Sequence, residues 1–110
     1  MDTAQDYYNT LEFDDVGLLL NAGDWNEKTA VFIADHIGID FLTAEHWKVI
    51  YALRAHYDRF GVAPAMFNVC RTNGQKSDWV HNLFHTCLDA WRVAGLPDPG
   101  EEAKSYLSDM

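Results

Sequence analysis

The sequence predicts a mainly α (α+β) fold: one small domain of about five helices, an N-terminal β-hairpin and an extended C-terminal arm. Three observations carry this. Residues 42–65 form a capped amphipathic run long enough to be the spine of a core. Shorter apolar stretches on either side are cut apart by turn residues. Prolines at 97 and 99 then bar helix or sheet interior near the end of the chain.

A chain of 110 residues is one domain, spanning 1–110, and can bury a core without staples. Residues 1–10 are polar and expected to be flexible, with Tyr7 and Tyr8 able to fold back on the core. Leu11 and Phe13 alternate with polar neighbours, Asp14-Asp15 marks a turn, and Gly17 loosens the return, so residues 11–20 read as a short hairpin packed on helices. Asp24 is the expected cap of the next helix, with Glu27 as its reciprocal partner and Ala30, Val31, Ile33 and Ala34 as its apolar face. That helix ends near Gly38.

In the central run, Thr43 is the N-cap, Glu45 complements the helix dipole, and Gly61 is the stop. Trp47, Ile50, Tyr51, Tyr57 and Phe60 recur at helical steps and are expected to face inward. Lys48, Arg54, Asp58 and Arg59 fall between them and can stay wet. Pro64 suits the first turn of a helix from Ala65 to about Arg71, with Met66, Val69 and Cys70 inward. Ser77 is the expected cap of a helix bearing Trp79, Val80, Leu83 and Phe84, and Leu88 to Ala94 is a further helix ending at Gly95. Residues 95–110 are the arm and an acidic tail, in which Glu101 to Met110 can form a short helical turn or stay loose.

The net charge of −9 opposes binding to a phosphate backbone, so nucleic acid is not an expected partner. No apolar run is long enough to cross a bilayer, and the first residues lack the pattern of a signal peptide. Two cysteines in expected helical positions are too few for a disulfide scaffold, so a reduced, cytoplasmic setting is expected.

Residues able to carry chemistry are sparse. His81, His85 and Cys87 are a candidate set for zinc or copper, set against surface histidines and a core thiol. His46 and His56 can serve as bases, or simply cap and solvate, and no nucleophile accompanies either. Cys70 precedes Arg71, whose charge can lower a thiol pKa, whereas an apolar position raises it. Read from its residues alone, the chain is an acidic helical domain with no evident active site and no implied cofactor.

Three phrases, in order, carry a resemblance. "FDDVGLLLNAGDWNEKTAVFIADHIGI" at 13–39, "LTAEHWKVIYALRAHYDRFGVAPA" at 42–65, and "NLF" at 82–84 followed by "VAGLPDP" at 93–99 resemble the DsrC/TusE family of small sulfur-relay proteins. The resemblance implies a helical scaffold with an N-terminal hairpin and a flexible C-terminal arm. It also implies a carrier rather than an enzyme. A cysteine in the arm takes up sulfur as a persulfide or joins a trisulfide, with sulfite reductase or the tRNA 2-thiouridine machinery as partner. In the sulfite-reductase partners a second cysteine precedes the Ala-Gly-Leu-Pro phrase.

Neither family cysteine stands at its place here. The matching positions are Trp91 and, by family spacing, the neighbourhood of Glu102, while Cys87 lies four residues upstream of the first. Phe67 replaces a family arginine and Asp98 a family lysine, both losses of charge that favours a thiolate. Arg71 matches a basic position and is a candidate anion or partner contact.

The leading functional expectation is therefore a non-catalytic DsrC/TusE-like protein. It would have a regulatory or protein-binding role in sulfur metabolism, through Ala94, Gly95, Leu96, Pro97 and Pro99. The alternative is a persulfide carrier using Cys87 or Cys70. A further alternative, a helix-turn-helix transcriptional regulator, is opposed by the charge.

Overall fold

The computed structural model describes residues 10–109. The expectations for Tyr7 and Tyr8, and for residues 1–9 generally, lie outside the described residues. Among the described residues six α-helices follow one another: α1 (Glu27–His36), α2 (Ala44–Phe60), α3 (Met66–Thr72), α4 (Trp79–Phe84), α5 (Cys87–Val93) and α6 (Glu101–Asp109). A 3-10 turn, Ala22–Asp24, precedes them.

The N-terminal β-hairpin is not formed. Among the described residues no strand exists, and the pairing is a single antiparallel bridge between Phe13 and Leu19. The Asp14 carboxylate accepts from the Val16 and Leu18 N–H groups, both at 2.9 Å, so a tight loop uses donors that a ladder would need. Leu18 and Leu19 are both 1 % exposed. Successive strand residues point to opposite faces, so burial of two neighbours is a loop signature.

Helix α1 starts later than the sequence suggests. Asp24 closes the 3-10 turn, and the cap is Asn26, whose side chain accepts from the Thr29 N–H at 3.0 Å. Its buried residues are Thr29, Ala30, Ile33 and Ala34, while Val31 is exposed.

Helix α2 has the expected cap at Thr43 and ends at Gly61 in the left-handed conformation. His46 completes a capping box. Its Nδ1 accepts from the Thr43 N–H at 3.0 Å, and its Nε2 then donates to the Leu83 carbonyl at 2.9 Å. The capping role foreseen for His46 is the one it has. The inward face differs from the one expected. His46, Val49, Ile50 and Leu53 are buried, whereas Tyr51 is 47 % and Phe60 58 % exposed. The rings line the flanks of α2, with Trp47 stacked on Tyr51 at 5.9 Å, because Trp91 and Phe84 already occupy the centre.

Met66, Val69 and Cys70 of α3 are inward as expected. Helix α4 is not capped by Ser77. Asp78 holds the cap position and makes no side-chain cap bond.

Between α4 and α5 the chain turns abruptly. His85 adopts φ 70° and ψ −44°, and the Thr86 N–H closes on the Phe84 carbonyl at 2.8 Å. This is a strained three-residue turn that a side chain disfavours. Replacing His85 by glycine is expected to stabilise the protein by about 1 kcal/mol, since relief of strain exceeds the added chain entropy. Urea unfolding measures it, and a lower midpoint would mean that the imidazole itself holds the turn.

The C-terminal segment is not a free arm. Residues 96–100 have no regular secondary structure, but α6 follows and packs chiefly on α5. Leu107 is fully buried, and the Tyr106 hydroxyl donates to the Pro64 carbonyl at 2.9 Å. Asp98 explains part of this. Its carboxylate accepts from the Gly100 N–H at 2.8 Å and from Lys104 Nζ at 3.0 Å, joining that stretch to the first turn of α6.

Candidate functional site

Two groups of residues could bear function: the root of the C-terminal segment and the two thiols. The root is held by three side chains from three elements. Trp25 Nε1 donates to the Val93 carbonyl at 3.0 Å, Arg54 Nη1 to Ala94 at 2.7 Å, and Trp91 Nε1 to Pro97 at 2.8 Å. The Arg54 guanidinium also lies 3.8 Å from the centre of the Trp25 ring. Arg54 was expected to stay wet, yet it is half-buried. Burial pulls its pKa down from the ordinary value, although a guanidinium remains charged. The ring face and the Ala94 carbonyl take the place of its lost water.

On the far side Trp25 meets Tyr51 edge-on at 6.3 Å, and the Tyr51 hydroxyl donates to Glu27. The Glu27 carboxylate first, and burial second, push the Tyr51 phenol up. Neither Trp25 nor Arg54 was singled out from the sequence as functional. The available signal was that both fall inside the family-like phrases.

Ala94, Gly95 and Leu96 are buried by this clamp, so of the five residues expected to meet a partner only Pro97 and Pro99 present surface. Arg71 is exposed and donates to Asn68 Oδ1 at 2.9 Å, leaving its charge accessible from solvent.

Both thiols are free and buried, Cys70 at 1 % exposure and Cys87 at 3 %. Cys70 Sγ points at the Ser77 carbonyl, 3.7 Å away. Burial first, and the nearby Cys70 second, push the Cys87 thiol up to about 11, so at neutral pH it is not a thiolate. His81, His85 and Cys87 are not brought together. Helix α4 ends at Phe84, His85 turns out of the helical path and is exposed, and Cys87 points into the core. Among the described residues no group of three His, Cys, Asp or Glu is placed to hold a metal ion. No helix among them is long and apolar enough to cross a membrane.

Such a molecule is a helical scaffold with a clamped C-terminal segment and two buried thiols. The chain belongs to the DsrC family: the family model described as "DsrC like protein" matches residues 6–101. Among curated relatives, the sulfurtransferase TusE of Yersinia pseudotuberculosis is 34% identical over 98 positions, covering 81% of this chain and 90% of that protein. TusE of Escherichia coli K12 is 33% identical over 98 positions, covering 81% and 89%.

Solved structures agree. The oxidized γ-subunit of dissimilatory sulfite reductase (DsrC) from Archaeoglobus fulgidus has a TM-score of 0.74 at 30% identity, covering 83% of this chain and 90% of that one. The Pyrobaculum aerophilum DsrC/γ-subunit has a TM-score of 0.73 at 32% identity, covering 83% and 85%. The family resemblance drawn from the three phrases is thus correct. The relatives are named as sulfurtransferases and as a subunit of sulfite reductase, and those names stand closer to the carrier alternative than to the leading non-catalytic reading.

Proposed function

We propose that this chain is a sulfur-relay protein that acts by docking to a protein partner of sulfur metabolism, keeping its own thiols out of the exchange. Sulfite reductase or a sulfur-transfer complex would be the partner, met through Pro97, Pro99 and the exposed Arg71. The supporting observation is the state of the thiols. Residues 88–110 contain no cysteine, and Cys70 and Cys87 are both buried. Transfer of sulfur between thiols needs an accessible thiolate to attack. Two buried, reduced thiols also suit a cytoplasmic setting.

The second reading, favoured by the sulfurtransferase names of the relatives, makes Cys87 a persulfide carrier. In that reaction the Cys87 thiolate attacks a sulfane sulfur of inorganic polysulfide. The sulfur–sulfur bond breaks, and the shortened polysulfide anion leaves with the electron pair.

Intact-mass spectrometry after incubation with inorganic polysulfide at neutral pH separates the two readings. The docking reading expects an unchanged mass and no iodoacetamide label on either cysteine of the folded protein. A product one sulfur heavier, located at Cys87, overturns it in favour of the carrier.

A further inference from the structure

We propose that the outer face of α3, with the groove between α3 and α2, is a docking strip for an acidic amphipathic segment of a partner protein. The strip deepens the docking reading and rests on it only for the partner's place in sulfur metabolism. It adds where the partner sits and what the partner's surface carries.

Charge is divided unevenly along the chain. Residues 46–77 hold five of the eight basic side chains and one of the seventeen acidic ones, a net +4 in a chain of −9. The one acid, Asp58, stands a turn beyond Arg54, on the flank of α2 opposite Ala52 and His56. Glu45, just ahead of the stretch, is already taken: it accepts from Lys48 Nζ and from Trp79 Nε1, both at 3.2 Å.

The same stretch exposes apolar surface in a connected strip. Phe60, Val62 and Phe67 are each more than half exposed. The groove between α2 and α3 is lined by Ala52, Pro64, Ala65 and Val69, together with His56 and Asn68. On one side the Phe60 ring lies 4.7 Å from the His56 ring, and Arg59 stands 5.3 Å from the Phe60 ring centre. On the other side Asn68 accepts from Arg71, whose guanidinium stands 6.0 Å from the Phe67 ring centre. Each side of the groove thus carries an exposed ring with a guanidinium beside it.

Large rings and arginines are the residues that anchor protein interfaces. Carboxylates of a docked segment would take the two guanidiniums in charge-assisted pairs, and its apolar side chains would fill the groove between them. Nucleic acid suits the strip less well. Arg59, Arg71 and Lys76 fall short of the dense row of cations that a phosphate backbone needs, and the acidic remainder of the chain repels a polyanion.

The test is fluorescence anisotropy of a labelled amphipathic helical peptide of leucine, alanine and glutamate, titrated with the full chain at low salt. Saturable binding is expected, and it weakens as salt is raised. Phe67→Ser and Arg71→Glu are each expected to weaken it about tenfold, while Lys28→Glu on α1 leaves it unchanged. All three side chains are exposed, so the variants keep the fold, which circular dichroism checks.

No binding, or equal binding of the same peptide with lysine in place of glutamate, overturns the proposal. An equal loss in Lys28→Glu does so too, because net charge alone would then be read. Tighter Arg71-dependent binding of a DNA duplex would give the strip to nucleic acid. A dimer in sedimentation equilibrium that dissociates in Phe67→Ser would give it to a second copy of this chain. Either result overturns the acidic partner. The titration involves no thiol, so the two readings fail separately. If the peptide binds but Cys87 gains sulfur from polysulfide, the strip stands and the docking reading falls. If the peptide does not bind and the thiols stay inert, only the strip falls.

Discussion

Gly95→Ala is expected to destabilise the protein by about 4 kcal/mol and lower its unfolding midpoint by about 15 °C. A Cβ at this position would stand 1.9 Å from Trp25 Cδ1, 2.5 Å from Cγ and 2.9 Å from Nε1. No contact of that kind survives, so either the indole or the chain at residue 95 must move. The indole is held by its bond to the Val93 carbonyl and by the Arg54 guanidinium across its face. The backbone is also at φ +69°, where a side chain is strained even in open space. Overpacking, left-handed strain and the lost Trp25 bond act together. Thermal unfolding monitored by far-ultraviolet circular dichroism measures the sum. The same substitution in a Trp25→Ala background is expected to cost only about 1 kcal/mol, because the strain remains and the clash is gone. Equal costs in the two backgrounds would show that the indole is not the obstacle.

Trp91→Cys is expected to cost about 4 kcal/mol and to yield no exposed thiol. Position 91 is where the family resemblance implies a cysteine, so the substitution resembles a reversion. In this chain the place is filled: Trp91 is fully buried, meets Tyr57 edge-on at 5.9 Å, and bonds the Pro97 carbonyl. A cysteine would leave a cavity in the middle of the core and an unpaired carbonyl at the base of the arm. Urea unfolding gives the cost, and thiol titration of the folded variant gives the accessibility. A variant as stable as the parent with a reactive new thiol would show that the scaffold still accommodates the carrier chemistry. The expected result is that the core is built around the indole, so that a cysteine at position 91 costs stability without giving an accessible thiol.

What the residues revealed in advance depended on the range of the interactions involved. Thr43, Glu45 and Gly61 set the limits of α2 through contacts within a turn or two, and those limits were legible. The inward face of the same helix was less so. Periodicity selected a stripe that included Trp47, Tyr51 and Phe60, but which rings go inside depends on whether another element has filled the centre, and Trp91 had. The hairpin failed for a local reason of another kind: the Asp14 side chain competes for backbone donors, so the turn was correct and the strands were not.

The candidate site was legible only through the phrases that carry the family likeness. Arg54 sits on the polar side of an amphipathic pattern, and nothing in its helix announces a bond to a carbonyl forty residues away. The docking of α6 was hidden for a related reason. A tail with two glutamates, a serine pair and one buried leucine has too weak a pattern to announce burial, and its Lys104–Asp98 pair spans a proline-bounded link.

The clamp on the arm root bears on the order in which the fold is assembled. Trp25 and Val93 are 68 residues apart, and the Arg92 side chain bonds the Val16 carbonyl across 76. The loop at residues 11–20 and the turn at 22–24 therefore find their partners only after almost the whole chain exists. Closing loops of that length comes after the local helices, whose contacts lie close along the chain. A chain that has reached only residue 85 has the sequence of its central helix but lacks Arg92 and Val93, the partners of Val16 and Trp25. The apolar residues that α5 completes, Trp91 and Val93 among them, join the core last.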